Sequence, residues 1–172
     1  TYVNFKNVLD ACPHKLPFGI AQIGKAFRNE ISPRGFVFRM REFEQAEMQY
    51  FINPADDAKY FEEWKKTRMA WWINVLGIPA DKLRFTPHEK LAHYAKAAGD
   101  IEYAFPDGFD EVEGVHNRQD FDLGSHTKAQ NEFHISAHVM ENHDSTVKLA
   151  YSDPQTGESF IPFVIETAMG VN

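Results

Sequence analysis

Residues 26–50, AFRNEISPRGFVFRMREFEQAEMQY, decide how this chain folds. Two segments studded with charge flank the short turn formed by Ser32, Pro33, Arg34 and Gly35, a composition that marks a hairpin. Side chains alternate between the faces of a strand. Arg28 and Glu30 are therefore expected on one face, and Arg39, Arg41, Phe43, Gln45 and Glu47 on one face of the partner strand. A guanidinium, a ring and a carboxylate then line a single surface. Arginine suits phosphates and carboxylates because its planar fork donates paired hydrogen bonds and keeps its charge. Phe43 offers a face on which a purine can stack, and Glu47 offers a carboxylate to an ammonium group. The same pattern also describes a solvated strand face with ordinary cross-strand ion pairs.

Outward from this hairpin, strands are expected at 23–31, 36–51, 101–105, 109–116, 146–151 and 160–166. The clearest helix begins at Asn53 and Pro54, a capping residue followed by proline at the first helical position, with Asp56 and Asp57 in the first turn. Within it Phe61, Trp64, Arg68, Trp71 and Val75 recur at spacings of three and four, which packs a helix on a sheet, and Gly77 should end it. Thr86 and Glu89 form a capping-box pattern around Pro87 and predict a second helix ending near Gly99. Strands come early and late, with helices between them. That order is not the regular alternation of a doubly wound sheet and predicts an α+β domain built on a largely antiparallel sheet.

The 172 residues, 43% of them hydrophobic and 14% aromatic, are enough for one domain with a filled core, and no repeat or linker divides them. No run of apolar residues reaches membrane-spanning length, and the lone cysteine, Cys12, excludes an intrachain disulfide, so a cytoplasmic setting without a membrane is expected. A net charge of −7 argues against broad contact with nucleic acid, which needs clustered Lys and Arg. The chain begins at Thr1 and ends soon after the apolar run at 160–165, and is expected to be part of a longer protein.

The hairpin resembles motif 2 of the class II aminoacyl-tRNA synthetases: Phe27, Arg28, Asn29 and Glu30, a loop, Arg39, then Phe43 and Glu47, each four residues on. Further stretches narrow the resemblance: residues 16–30 (LPFGIAQIGKAFRNE), 41–46 (REFEQA), 91–94 (LAHY), 100–103 (DIEY), 111–123 (EVEGVHNRQDFDL) and 163–170 (FVIETAMG). Together they are similar to the glycyl-tRNA synthetases of the dimeric, eukaryote-like type over nearly the whole chain. The resemblance implies the class II architecture, an antiparallel sheet flanked by helices, with residues 1–172 as part of the catalytic domain. Motif 1 and a further substrate-contacting glutamate would precede Thr1, and the motif 3 arginine would follow Asn172.

It implies ATP and Mg²⁺ as cofactors, glycine and tRNA(Gly) as partners, and a homodimer of the full-length protein. Arg28 would contact the α-phosphate and the amino-acid carboxylate, Glu30 would orient the nucleotide, Arg39 would reach the terminal phosphates and Phe43 would stack on adenine. Asn29, Phe38 and Val112 would line the ATP site, which Glu111 and Arg118 would complete. Glu47 and Glu166 would surround the glycine ammonium. Two residues beyond Glu166 the family places a serine, where this chain has Ala168, removing one hydrogen bond to substrate. The turn around Pro33 and Arg34 would face the tRNA acceptor end. The implied reaction is glycine activation to glycyl-adenylate and transfer to tRNA. The alternative is a class II relative or partial chain that binds nucleotide without charging.

Other residue groups suggest other chemistry. His134 and His138, four residues apart with His143 nearby, are compatible with one helical face, but the HISAH stretch lacks the glutamate of the HExxH zinc pattern. His93 and His126 are expected to be structural. Arg118, Asp120 and Asp122 are spaced as a Mg²⁺ or ion-pair cluster, and the resemblance gives Arg118 to phosphate and the aspartates to structure. Glu111 and Glu113, expected on one strand face, match paired-carboxylate glycosidase chemistry as a second reading.

Overall fold

The computed structural model describes residues 1–12, 14–126 and 149–171. Six strands form one sheet: β1 (Phe18–Phe27), β2 (Glu42–Ile52), β3 (Leu83–Pro87), β4 (Ala97–Phe105), β5 (Gly108–Gln119) and β8 (Phe163–Gly170). Their order is β1-β2-β8-β5-β4-β3, with every neighbouring pair antiparallel. β6 (Tyr151–Ser152) and β7 (Ser159–Phe160) make a separate two-stranded ribbon. The helices are α1 (Phe5–Ala11), α2 (Asp57–Asn74) and α3 (Phe121–Ser125). This is the expected antiparallel sheet with flanking helices.

The long helix forms where its sequence predicts. Asn53 Oδ1 accepts from the Ala55 amide at 2.9 Å, Pro54 opens a short 3-10 turn, and α2 follows. Gly77, beyond its end, takes a left-handed φ of +71°. The helix covers one sheet face, where Phe61 is buried with Ile52, Val115 and Ile165, and Trp64 and Tyr50 pack against them. Two polar anchors fix it along β5. Asp57 accepts from Lys96 at 2.7 Å and Asn117 at 2.9 Å, while Arg68 and Trp72 both donate to Glu113 at 2.6 Å. Eleven helical residues rise about 16 Å and four strand residues about 13 Å, so the helix runs back along the strand in near register. Desolvation opposes the Asp57 charge, but its hydrogen bonds from Lys96, Asn117 and the Ala58 amide prevail and hold the carboxyl below its usual 3.8.

On the opposite face, α1 and α3 cover one end of the sheet. Phe5 and Leu123 are buried there with Phe51 and Val164. The rest of that face carries polar side chains, among them Glu47, Gln49, Glu166 and His116.

Four expectations are corrected. Residues 86–99 do not form a helix: Thr86 and Pro87 pair with Asp100 and Gly99 in β3 and β4, and the His88 amide continues the pairing to the Ala98 carbonyl. Cross-strand bonding defeats the local capping pattern. The strands at 23–31 and 36–51 become β1 and β2, which stop short of the turn and leave residues 28–41 as a loop closed by the Arg34 and Arg39 bridge. Arg39 and Arg41 therefore precede the strand instead of lying along its face. The strand expected at 146–151 contributes only Tyr151 among the described residues, and 160–166 divides around Ile161 and Pro162. Finally, Ile101 pairs with Glu113 and Glu102 with Glu111, skipping Val112. This bulge reverses the alternation, so Glu111 and Glu113 leave β5 on opposite faces.

Candidate active site

β2 and β8 supply the centre of the polar face. Strand parity places Phe43, Gln45, Glu47 and Gln49 in one line, the register sets Ala168 beside Glu47 and Glu166 beside Gln49, and β5 adds Gly114 beside Ala168 and His116 beside Glu166. Glu47 and Glu166 are joined through Gln49, whose Nε2 donates to Glu47 Oε2 at 3.2 Å and Glu166 Oε2 at 3.1 Å. The Gln49 Oε1 atom is buried without a partner. Tyr2 also donates to Glu166 Oε2, at 3.2 Å, because the buried anchor Phe5 holds the first turn against the sheet.

Arg118 closes this group. Its Nη1 donates to Glu166 Oε1 at 3.2 Å, while Nε and Nη2 grip the two oxygens of Asp122 at 2.7 and 2.9 Å. The guanidinium lies 4.0 Å from the Tyr94 ring centroid and 5.9 Å from that of Tyr2. Asp122 is placed by α3, itself fastened through buried Leu123. Although desolvation opposes it, the bond to Asp122 and the charge of Glu166 raise the Arg118 pKa further. Desolvation also raises the Tyr2 hydroxyl, with Glu166 adding to it.

The acidic pair lacks a full complement of positive charge. Desolvation raises the Glu47 carboxyl above its ordinary 4.5, and Glu166 raises it further against the opposing effects of Gln49 and Arg118. Among the described residues, Arg118 is the side-chain cation bonded to Glu166 and Asp122, the N-terminal ammonium also opposes the Glu47 shift, and desolvation lowers the pKa of neighbouring His116. A small cation seated between Glu47 and Glu166 would relieve this excess.

A second group lies further along the same face. Phe43 is four residues from Glu47, about 13 Å along the strand, and the Arg28 guanidinium stands 5.3 Å from its ring centroid. The Arg28 amide donates to the Arg41 carbonyl at 2.9 Å, and Arg41 Nε donates to the Glu30 carbonyl, also at 2.9 Å, so the loop base is tied at two levels. Arg39 lies 3.7 Å from Glu30. Desolvation raises the Glu111 carboxyl and Asp100 adds to this, while Arg28 and His88 oppose it. Arg28, Phe43 and Glu111 thus meet at one end of this face, with Glu30, Arg39 and exposed Asn29 on the loop that follows Arg28.

Phe38 stands apart, edge-on to Phe105 at 5.9 Å, and Val112 is the extra residue of the β5 bulge. Arg118 sits at the Glu166 end of the face. Glu113 faces α2 instead, which removes the paired-carboxylate reading. Asp120 is exposed, and His93 lies edge-on to Phe121 at 5.0 Å. His134, His138 and His143 lie outside the described residues. Among the described residues, no group of three or more His, Cys, Asp or Glu side chains is arranged to hold a metal ion, and no helix is long and apolar enough to cross a membrane.

Sequence reasoning missed Tyr2, Gln49, Tyr94 and His116. Gln49 was accessible through the parity that selected Glu47; Arg118 came from the resemblance, and the register shift between Asn117 and Gln119 breaks the parity that would lead from it to His116. Tyr2 carries no local signal, because it meets Glu166 only across the folded chain.

The family model for the tRNA synthetase class II core domain (G, H, P, S and T) matches residues 4–172. The chain is 56% identical over 173 residues to the glycine–tRNA ligase of Thermus thermophilus, covering 99% of this chain and 34% of that protein. It is 49% identical over 174 residues to the ligase of Deinococcus radiodurans, with 99% and 34% covered, and 50% identical over 172 residues to that of Borreliella burgdorferi, with 99% and 36% covered. The chain therefore spans about a third of the length of these curated relatives.

Proposed function

This chain belongs to the class II tRNA synthetase core domain family, and from that premise we propose that the protein containing it activates glycine with ATP and transfers it to tRNA(Gly). The observation carrying this reading is the pair Glu47 and Glu166, set around the small residues Ala168 and Gly114 with too little positive charge of their own. An ammonium group supplies that charge, and a substrate without a side chain matches so small a floor. The shared name of the relatives supports the same substrate.

ATP occupies the other end of the face. Phe43 stacks on adenine, Arg28 moves onto the α-phosphate and glycine carboxylate, Glu30 orients the nucleotide, and Arg39 takes the terminal phosphates. Asn29, Phe38 and Val112 line this site. Glu111 and Arg118 complete it, Arg118 from the glycine side because it is already bound to Glu166. A glycine carboxylate oxygen attacks the α-phosphorus, the bond to the leaving pyrophosphate breaks, and glycyl-adenylate forms. A terminal ribose hydroxyl of tRNA then attacks the carbonyl carbon and releases AMP. No side chain acts as nucleophile; the residues contribute position and charge.

Mg²⁺, when bound, would supply positive charge to the ATP phosphates. Such an ion is commonly held by one or two carboxylates together with substrate phosphates, and Glu111, beside Arg28, fits that demand. The loop at Pro33 and Arg34 meets the tRNA acceptor end. Residues 1–172 are part of the catalytic domain, with motif 1 and the motif 3 arginine outside them. The full protein is a cytoplasmic homodimer of the dimeric, eukaryote-like sequence type, a reading supported by the motif matches along the chain. A class II relative that binds nucleotide without charging is the second reading, favoured by one observation: Ala168 offers the substrate no hydroxyl.

Calorimetric titration of the full-length protein with a non-hydrolysable glycyl-adenylate analogue tests the assignment. Tight binding to wild type, lost in Arg28→Ala, is expected. Equal binding by both proteins, or none by either, contradicts it.

A further inference from the structure

His116 has no part in the reaction above, yet its position is built. It follows Gly114 by two residues on β5, and its ring leans back over that glycine: a Cβ added to Gly114 would lie 2.6 Å from His116 Cε1. Gly114 pairs with Ala168, and Ala168 pairs with Glu47 on its other side. Ala168 is thus the floor of a slot flanked by Glu47 and by the His116 ring, with Glu166 at its end. Neighbouring strands lie about 4.8 Å apart, so the slot is only two strand spacings wide.

The ring is braced from behind. It meets the His88 ring at 5.9 Å and 67°, and His88 Nε2 is held by Asp100 Oδ2 at 2.7 Å. The His116 side chain is 18% exposed, and its Nδ1 is buried without a hydrogen-bond partner, 3.9 Å from Glu166 Oε1. Such an atom is costly to leave unpaired, and a ligand that supplies the partner recovers the loss. Ala168 and Gly114 have no side-chain hydrogen bond to give.

We infer that His116 determines amino-acid specificity, its ring closing the β5 side of the slot against any substrate side chain and its Nδ1 hydrogen-bonding the bound amino acid. Desolvation keeps the ring neutral more readily than in water, against Glu166 and Asp100 and with His88 and Arg118, so it fills the slot without adding a competing cation. The inference rests on the assignment of Glu47 and Glu166 to the substrate ammonium.

The test is ATP–pyrophosphate exchange by the full-length protein with glycine, alanine or serine, comparing wild type, His116→Ala and His116→Asn. His116→Ala is expected to raise the glycine KM with kcat retained, and to lose about 10-fold or more of the glycine-over-alanine preference in kcat/KM, the scale for one methyl group in a shaped pocket. His116→Asn restores a polar atom near Nδ1 and should recover the glycine KM but only part of the preference. Wild-type KM and preference in His116→Ala overturn this inference alone. Loss of all exchange in both variants, with ATP affinity retained, also counts against it. No glycine-dependent exchange by wild type removes the underlying assignment as well.

Discussion

Arg118 donates to Glu166 Oε1 at 3.2 Å while gripping both oxygens of Asp122. One guanidinium therefore fastens a sheet carboxylate to the first turn of α3, and both sides of the Arg118–Glu166 contact are largely shielded, at 15% and 10% exposure. Removing one partner of such a pair strands the other charges. Arg118→Ala should cost about 3–5 kcal/mol of stability, read as a lower urea midpoint. Arg118→Lys keeps the charge but not the fork, and should recover only part of the loss.

The acidity of Glu47 makes a pH prediction. Its folded-state pKa is raised above the ordinary 4.5, first by desolvation and then by Glu166. The folded protein therefore binds the extra proton between those two values, and the stability this gives is fully present below 4.5 and lost as pH rises through the raised pKa. An ammonium ligand has the opposite preference, for the ionised carboxylate. The glycine KM should fall as pH rises through the same window, and Glu47→Gln should raise KM and flatten the profile. A profile of KM against pH for both proteins checks the sign.

Glu111 and Glu113 are two residues apart and should behave as unrelated groups. Glu113 is buried against Arg68 and Trp72, so Glu113→Ala should destabilise by about 3–5 kcal/mol. Glu111→Gln should leave the urea midpoint nearly unchanged and raise the ATP KM. Similar stability losses in the two variants would contradict the bulge at Val112.

Phe43→Ala should weaken ATP through lost stacking, worth about 1–3 kcal/mol per base in comparable platforms, or about 5- to 150-fold in KM. The glycine KM should change little, because Phe43 and Glu47 lie about 13 Å apart along β2. Phe43→Tyr should retain most of the affinity.

How far the sequence disclosed this arrangement depended on whether the signal was local. The helix from Asn53 was legible because its cap, proline and aromatic spacing act within the segment, and tertiary packing agrees with them. Thr86 and Glu89 offered the same kind of signal and misled, because pairing with Asp100 and Gly99 outweighs helix propensity. Parity along β2 led correctly from Phe43 to Glu47. Parity failed on β5, where one extra residue, Val112, separates Glu111 from Glu113. The contact between Tyr2 and Glu166 spans 164 residues and exists only once α1 is docked.

The most direct test of the central claim is glycine-dependent ATP–pyrophosphate exchange by the full-length protein beside Glu166→Gln. Exchange driven by glycine and little by alanine or serine is expected, with a glycine KM raised about 10-fold or more in the variant, the scale of a lost charged hydrogen bond. Exchange that ignores glycine, or a Glu166→Gln variant with the wild-type KM, would contradict it.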